Sequence, residues 1–352
     1  MSTSSRPLPS PVVLPSDTFQ LGDASLTLSG DPPLRERFRI ILGDCAASTP
    51  SPVNVDCEVS SHGVMSFAYP GQRLDLARVL ESVAETRDDD NVVWRVDDDR
   101  VAFEGDGEWR GLAANAAMNV AFAVQPDVFF FHAASVAIHV ANNARGVMLT
   151  GAKASGKSTL SLALAARDHT LLGDELAALR VASNELLPMR RAASIREGIR
   201  AASIDARLGH IPAAEEKYPD GSRRLRIRIS DLFPSSDPKP VPLRAIVFLR
   251  SFAKEPRMER FTPSFADSSL LQPIGAMWKD DGARRFRLIR LLSNVACFHL
   301  DAAAPEATAA LIEDIIESVI PSEARELKLR NGSDEEVLRC AQDDDATEDT
   351  CP

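Results

Sequence analysis

The chain has 352 residues, enough for one large or two medium domains around a substantial core. Hydrophobic residues make up 44% and charged residues 26%, the balance of a globular chain rather than a disordered or fibrous one. A net charge of −11, partly from the "DEE" and "DDD" runs near the C-terminus, argues against a general nucleic-acid binder, whose affinity comes from Lys and Arg neutralising phosphates.

No apolar stretch approaches the ~20 residues of a membrane span. The opening "MSTSSRPLPSPVVLPSD" lacks the basic-then-apolar pattern of a secretory signal. Cytoplasm and no membrane partner are therefore expected. Cys45, Cys57, Cys297, Cys340 and Cys351 include no CxxC pair and read as reduced thiols.

Residues 1–17 are Ser/Pro-rich and expected to be disordered. From 18 to 108 the pattern predicts a small α+β domain. "DTFQLGDASLTL", "FRIIL", "VNVDCEVSSHGVMSFAY" and "NVVWRVDDDRVAFEG" are short strand-like runs, the last a hairpin turning at "DDD". A helix is expected over 71–86, where Leu74, Leu76, Val79, Leu80 and Val83 recur at helical spacing. A second domain is expected over 109–320. It opens with an Ala-rich buried helix at 109–125, followed by a strand pair in "DVFFFHAASVAIHV". "LAALRVASNELLPM" reads as strand, turn, strand, and "RRLRIRISDLF" alternates as a strand with a solvated Arg face. "LRAIVFLRS" fits a central strand, "ACFHLD" a short one, and "APEATAALIEDIIESVI" (304–320) a helix with Pro305 in its first turn. Residues 321–352 lose apolar periodicity and read as a disordered acidic tail.

Between these elements lies "GVMLTGAKASGKSTLSLALAAR". Gly151, Ala152, Lys153, Ala154, Ser155, Gly156, Lys157 and Ser158 fit G-x-x-x-x-G-K-[ST], followed by Thr159, with an apolar run before and strong helix formers after. Glycines let successive backbone N–H groups curl around an anion, and the following helix adds its positive end. Lys157 is placed to reach the β- and γ-phosphates of a nucleoside triphosphate, and the Ser158 hydroxyl to ligate Mg²⁺.

Asp174 and Glu175 stand shortly after the loop, in "LLGDE". The interval admits one helix and a return strand, so both carboxylates are expected beside the loop. One can take the proton of an attacking hydroxyl and the other can help hold the metal. ABC-type ATPases and GTPases are disfavoured, since neither an LSGGQ-like segment nor an N/T-K-x-D guanine reader is present. His62, His169, His210 and His299 form no metal-ligand spacing, and His139 reads as structural.

The span "FHAASVAIHV…GVMLTGAKASGKSTLSLALAARDHTLLGDE" resembles the HPr serine kinase/phosphorylase family, more closely its HPr-kinase-related branch. The resemblance covers residues 110–200 well and 240–320 in outline. It implies an α/β P-loop kinase domain of the HPr kinase/phosphoenolpyruvate carboxykinase-like type behind a smaller N-terminal α+β domain. His132 then matches a histidine near the phosphates, and Asp174 the base toward a serine hydroxyl. Glu175 matches a second acid at the metal, and Arg196 a cation near the transferred group. The implied partners are ATP, Mg²⁺ and a protein or peptide carrying the acceptor serine, with self-association of the chain.

The chain departs from the family where a metal-binding Glu precedes Ile-Arg-Gly. Here Ser194 precedes Ile195-Arg196, and Glu197 follows. That places phosphorylase activity and HPr docking in doubt. It also motivates an alternative, a nucleotide-binding regulatory or assembly protein without transferase activity. A small-molecule kinase or carboxykinase-like enzyme is a third reading.

Overall fold

The computed structural model describes residues 15–71, 73–85, 92–105, 109–140, 143–196, 202–211, 213–217, 223–264, 271, 273–274 and 282–319. The two segments expected to be disordered, apart from residues 15–17, lie outside them, as does Glu197.

The chain opens with a hairpin, β1 (Ser16–Leu21) antiparallel to β2 (Ala24–Gly30), turning through Gly22 at φ +71°. The expected strand at "FRIIL" is instead the end of helix α1 (Pro32–Leu42). Asp31 is the reason: its Oδ1 accepts the Leu34 amide at 2.9 Å, and two prolines occupy the first turn, where no N–H is needed. Leu34, Phe38 and Leu42 then fall on one buried face.

β3 (Val53–Val59) runs parallel to β2 and antiparallel to β4 (Val64–Ala68). Helix α2 (Leu76–Glu85) starts later than the apolar spacing suggested, because Asp75 accepts the Arg78 amide at 3.2 Å and ends the preceding coil. β5 (Val92–Asp97) and β6 (Arg100–Gly105) form the expected hairpin, with Asp98 at φ +49° in the turn. These strands make one sheet in the order β1-β2-β3-β4-β6-β5, and the buried helix α3 (Trp109–Ala123) packs against it.

A larger sheet follows. β7 (Val128–Phe131), β8 (Ala134–Val140) and β9 (Asn143–Gly151) lead into α4 (Lys157–Ala165). Then come β10 (Thr170–Gly173), β11 (Ala177–Arg180), β12 (Glu185–Leu187) and β13 (Ala193–Arg196). Helix α5 (Ala202–Leu208), β14 (Ala214–Lys217), β15 (Arg223–Ile227) and α6 (Ile229–Leu232) precede the long β16 (Val241–Phe252). β17 (Arg257–Phe261), α7 (Gly282–Asn294), β18 (Ala296–Ala302) and α8 (Pro305–Val319) complete the described chain.

The sheet path is β10-β8-β9-β16-β12-β11-β7, with β18 beside β16 and β17 beyond it, while β13, β15 and β14 form a small separate sheet. β9, β16 and β18 are parallel and buried on both faces. Val147, Leu149 and Val247 meet Leu160 and Leu164 of α4 and Ile312 and Ile316 of α8. Met148, Ile246 and Phe248 meet Leu288, Leu291 and Leu292 of α7. The chain is thus a mixed α/β protein with several sheets.

One feature of the path positions the site. β7 runs into β8 through residues 132–133, and β10 runs into β11 through residues 174–176. The two segments pair along both arms, Gly173 opposite Ser135 in one and Ala177 opposite Phe131 in the other. Their bends therefore face each other, with His132 on one and Asp174 and Glu175 on the other.

Candidate active site

The loop begins where buried β9 ends. Gly151 has φ +154°, and a Cβ there would lie 2.8 Å from Leu249 O and 2.9 Å from Ser155 Oγ, so the chain can turn only with glycine. Ala154 (φ +66°) and Gly156 (φ +97°) continue the curl, and the Ser155 amide donates to Ala152 O at 3.2 Å. Gly156 caps α4 and no side chain caps that helix end, which leaves the first-turn amides and the positive pole facing the loop. Lys157 is 8% exposed and folds across the loop, its Nζ donating to Gly151 O at 2.7 Å and Ala152 O at 3.0 Å. Burial lowers its pKa, and Asp174 and Glu175 work against that shift. Ser155 Oγ is buried without a hydrogen-bond partner.

β10 is antiparallel to β8 and β8 to β9, so β10 and β9 run the same way and end at the same edge of the sheet. That brings Asp174 to the first turn of α4. Its carboxylate is 2% exposed and accepts hydrogen bonds from Ser161 Oγ (3.3 Å) and from the Ser158 hydroxyl. Burial first, then the neighbouring Glu175, push its pKa up to about 6 against those two hydrogen bonds. Gly173 before it has no room for a side chain, since a Cβ would collide with the Leu176 carbonyl and approach Met189 O at 3.0 Å.

Glu175 points elsewhere. Its side chain is 34% exposed, with Arg191 Nη1 at 3.8 Å and Arg226 Nη1 at 3.9 Å from Oε2. Burial raises its pKa, but Arg191, Arg226, His132 and Arg224 outweigh that and hold it ionised. His132 is shifted toward its neutral form. Burial, then the charges of Lys157, Arg191 and Lys153, lower its pKa against Glu175. The structure thus gathers His132, Lys153, Lys157, Ser158, Asp174 and Glu175 into one electrostatic neighbourhood.

Arg196 is exposed at the end of β13, opposite Arg224 of β15. The alternation of "RRLRIRI" is present, with Ile227 buried. Its arginine face is solvated only in part: the Arg228 side chain is 55% exposed as expected, whereas the Arg226 side chain is 8% exposed, with Nε 2.6 Å from Glu216 Oε2 and Nη1 facing Glu175. Alternation locates a face, and only the fold supplies the carboxylates that bury part of it. Arg191 and Ser161 are further members of the site that motif reading did not single out. Ser161, one turn after Ser158 on α4, was open to discovery from helical spacing.

His139 bonds Thr170 Oγ1 at 2.9 Å, in keeping with its structural reading. Cys45, Cys57 and Cys297 are free and buried. Among the described residues no group of three or more His, Cys, Asp or Glu side chains is arranged to hold a metal, and no helix is long and apolar enough to cross a membrane.

No family model matches this chain, and no curated protein does. Among solved structures it is similar to the Hpr(Ser) kinase/phosphatase from Coxiella burnetii, at 16% identity over 59% of this chain and 97% of that chain. The TM-score is 0.27, too low to rest any conclusion on.

Proposed function

We propose that the chain is an ATP-dependent phosphotransferase that moves the γ-phosphoryl group to a hydroxyl, with a serine of a protein or peptide as acceptor. The observation that carries this reading is the carboxyl of Asp174. It touches the loop helix through Ser158 in the first turn and Ser161 in the next, with its pKa raised to about 6. A base with a pKa just below neutral is ionised at working pH yet still takes up a proton.

The loop fits a triphosphate: it needs glycine at 151, its helix end is uncapped, and Ser155 Oγ is buried without a partner. Lys157 would exchange its two loop carbonyls for phosphate oxygens. In this reading magnesium, a hard cation that takes oxygen donors, would be held by Ser158 and phosphate oxygens, with Glu175 turning in from the arginines it faces, and would neutralise charge on the β- and γ-phosphates. Arg191 and Arg226 keep Glu175 ionised for that role. As the acceptor oxygen bonds to the γ-phosphorus and the bond to the ADP oxygen breaks, Asp174 receives the hydroxyl proton. His132, shifted toward its neutral form, donates or accepts a hydrogen bond without adding charge, and Arg196 offsets charge on the transferred group. Positioning and electrostatics would supply most of the rate.

A regulatory nucleotide binder is the second reading, favoured by Ser194 in place of an acid and by the near-complete burial of Asp174. Incubation with γ-labelled ATP and an extract of the source cell separates the readings. Label on a discrete polypeptide supports the kinase, and label on a low-mass product moves the acceptor to a small molecule. Tight ATP binding without any transfer refutes phosphotransfer.

A further inference from the structure

The edge of the sheet that carries the loop also carries an exposed aromatic ring, Phe252. Along β16, Ala245, Val247 and Leu249 face α4 and α8, while Ile246 and Phe248 face α7. Simple alternation would send Phe252 to the α7 side. A bulge prevents this. Leu249 pairs with Leu300 and Ser251 with Asp301, so Arg250 is the extra residue and every later side chain changes face. Phe252 then pairs with Ala302, two residues from Leu300 of the α4/α8 face.

The bulge is pinned. Asp301 accepts from Arg250 Nη2 at 2.6 Å and Nε at 3.1 Å and from the Ser251 hydroxyl, while the Ala253 amide resumes the ladder on Ala302 O at 2.7 Å. Thus turned, the Phe252 ring lies over Gly156, the glycine that caps α4. Two ring carbons stand 3.5 and 3.6 Å from where a Cβ at Gly156 would be. The ring remains 67% exposed. A single exposed phenylalanine needs no explanation, but a ring re-aimed by a clamped bulge onto the phosphate loop has a use there.

We propose that Phe252 is the stacking platform for the nucleobase of the bound nucleotide. The proposal rests on the ATP reading of residues 151–158 and adds the other end of the ligand. Stacking on a phenyl ring tolerates any base, because every base has a π-face. The platform therefore distinguishes nucleotides from inorganic polyphosphates and does not choose adenine over guanine.

The test is calorimetric titration of the full chain with ATP, GTP and inorganic tripolyphosphate, using wild type, Phe252→Ala and Phe252→Trp. Exposure of the ring makes the alanine variant a safe one for folding. Loss of one stacked base predicts a rise in Kd of roughly tenfold for both ATP and GTP in Phe252→Ala, with recovery in Phe252→Trp. Tripolyphosphate affinity should stay within about twofold throughout. Equal weakening of ATP and tripolyphosphate, or no change for ATP, overturns the platform and leaves the phosphate loop standing. Wild type that binds neither ligand removes both readings.

Discussion

Asp174 offers a test that needs no substrate. The carboxyl is 2% exposed, and its pKa rises from 3.8 to about 6 through burial and the charge of Glu175. At about 1.36 kcal/mol per unit, that rise corresponds to roughly 3 kcal/mol between the protonated and ionised forms. The folded state holds the proton more tightly than the unfolded one. Its contribution is therefore present below about pH 4 and is lost as the pH climbs through about 6. Above that, the native protein carries a buried anion faced by Glu175, with Lys157 and Arg226 as nearby cations.

Asp174→Asn keeps an oxygen that can accept from Ser158 and Ser161 and never ionises. Urea unfolding of wild type and variant at about pH 8 and about pH 4.5 should give a stability difference that moves in the variant's favour by about 2 kcal/mol at the higher pH. A difference that is the same at both pH values would refute the raised pKa. A shift of the opposite sign would show that Asp174 is stabilised as an anion.

Two further outcomes follow from local geometry. Gly173→Ala should cost several kcal/mol and sharply reduce folded protein, because the added Cβ meets backbone carbonyls of Leu176 and Met189 rather than a side chain that could move; a variant melting within a degree or so of wild type contradicts that reading. His169 accepts the His139 amide on Nδ1 (3.2 Å) and meets Glu313 Oε1 through Nε2 (2.9 Å), so it is neutral with the proton on Nε2. Burial lowers its pKa against Glu313, with His139 and Arg167 lowering it further. A histidine with a depressed folded pKa adds stability above about 6.5 that is lost as the pH falls. His169→Gln should flatten the acid limb of the stability profile, read by melts from about pH 8 to pH 5, and an unchanged slope counts against it.

The glycine-rich turn between β9 and α4 was legible because its residues are contiguous. Glycines, Lys157 and Ser158 stand close together, and the short apolar run before them is consistent with the buried strand β9. The helix over residues 109–125 and the one beginning at Pro305 were legible from periodicity and first-turn proline. "FRIIL" misled because five apolar and basic residues carry no period of their own, and the deciding groups, Asp31 and two prolines, lie upstream. That the bend carrying His132 faces the bend carrying Asp174 and Glu175 was not derivable from spacing. It depends on two bent segments pairing along both arms, a long-range register that no local pattern encodes. Arg191, Arg226 and the turned ring of Phe252 escaped for the same reason, each being set by strand pairing and a bulge.

The most direct measurement of the central claim compares wild type with Asp174→Asn, in γ-labelled ATP transfer and in ATP affinity measured on the same samples. Removal of a general base predicts transfer reduced by about 10²-fold or more with ATP affinity within about threefold of wild type. Transfer at the wild-type rate in a variant that still binds ATP would contradict it.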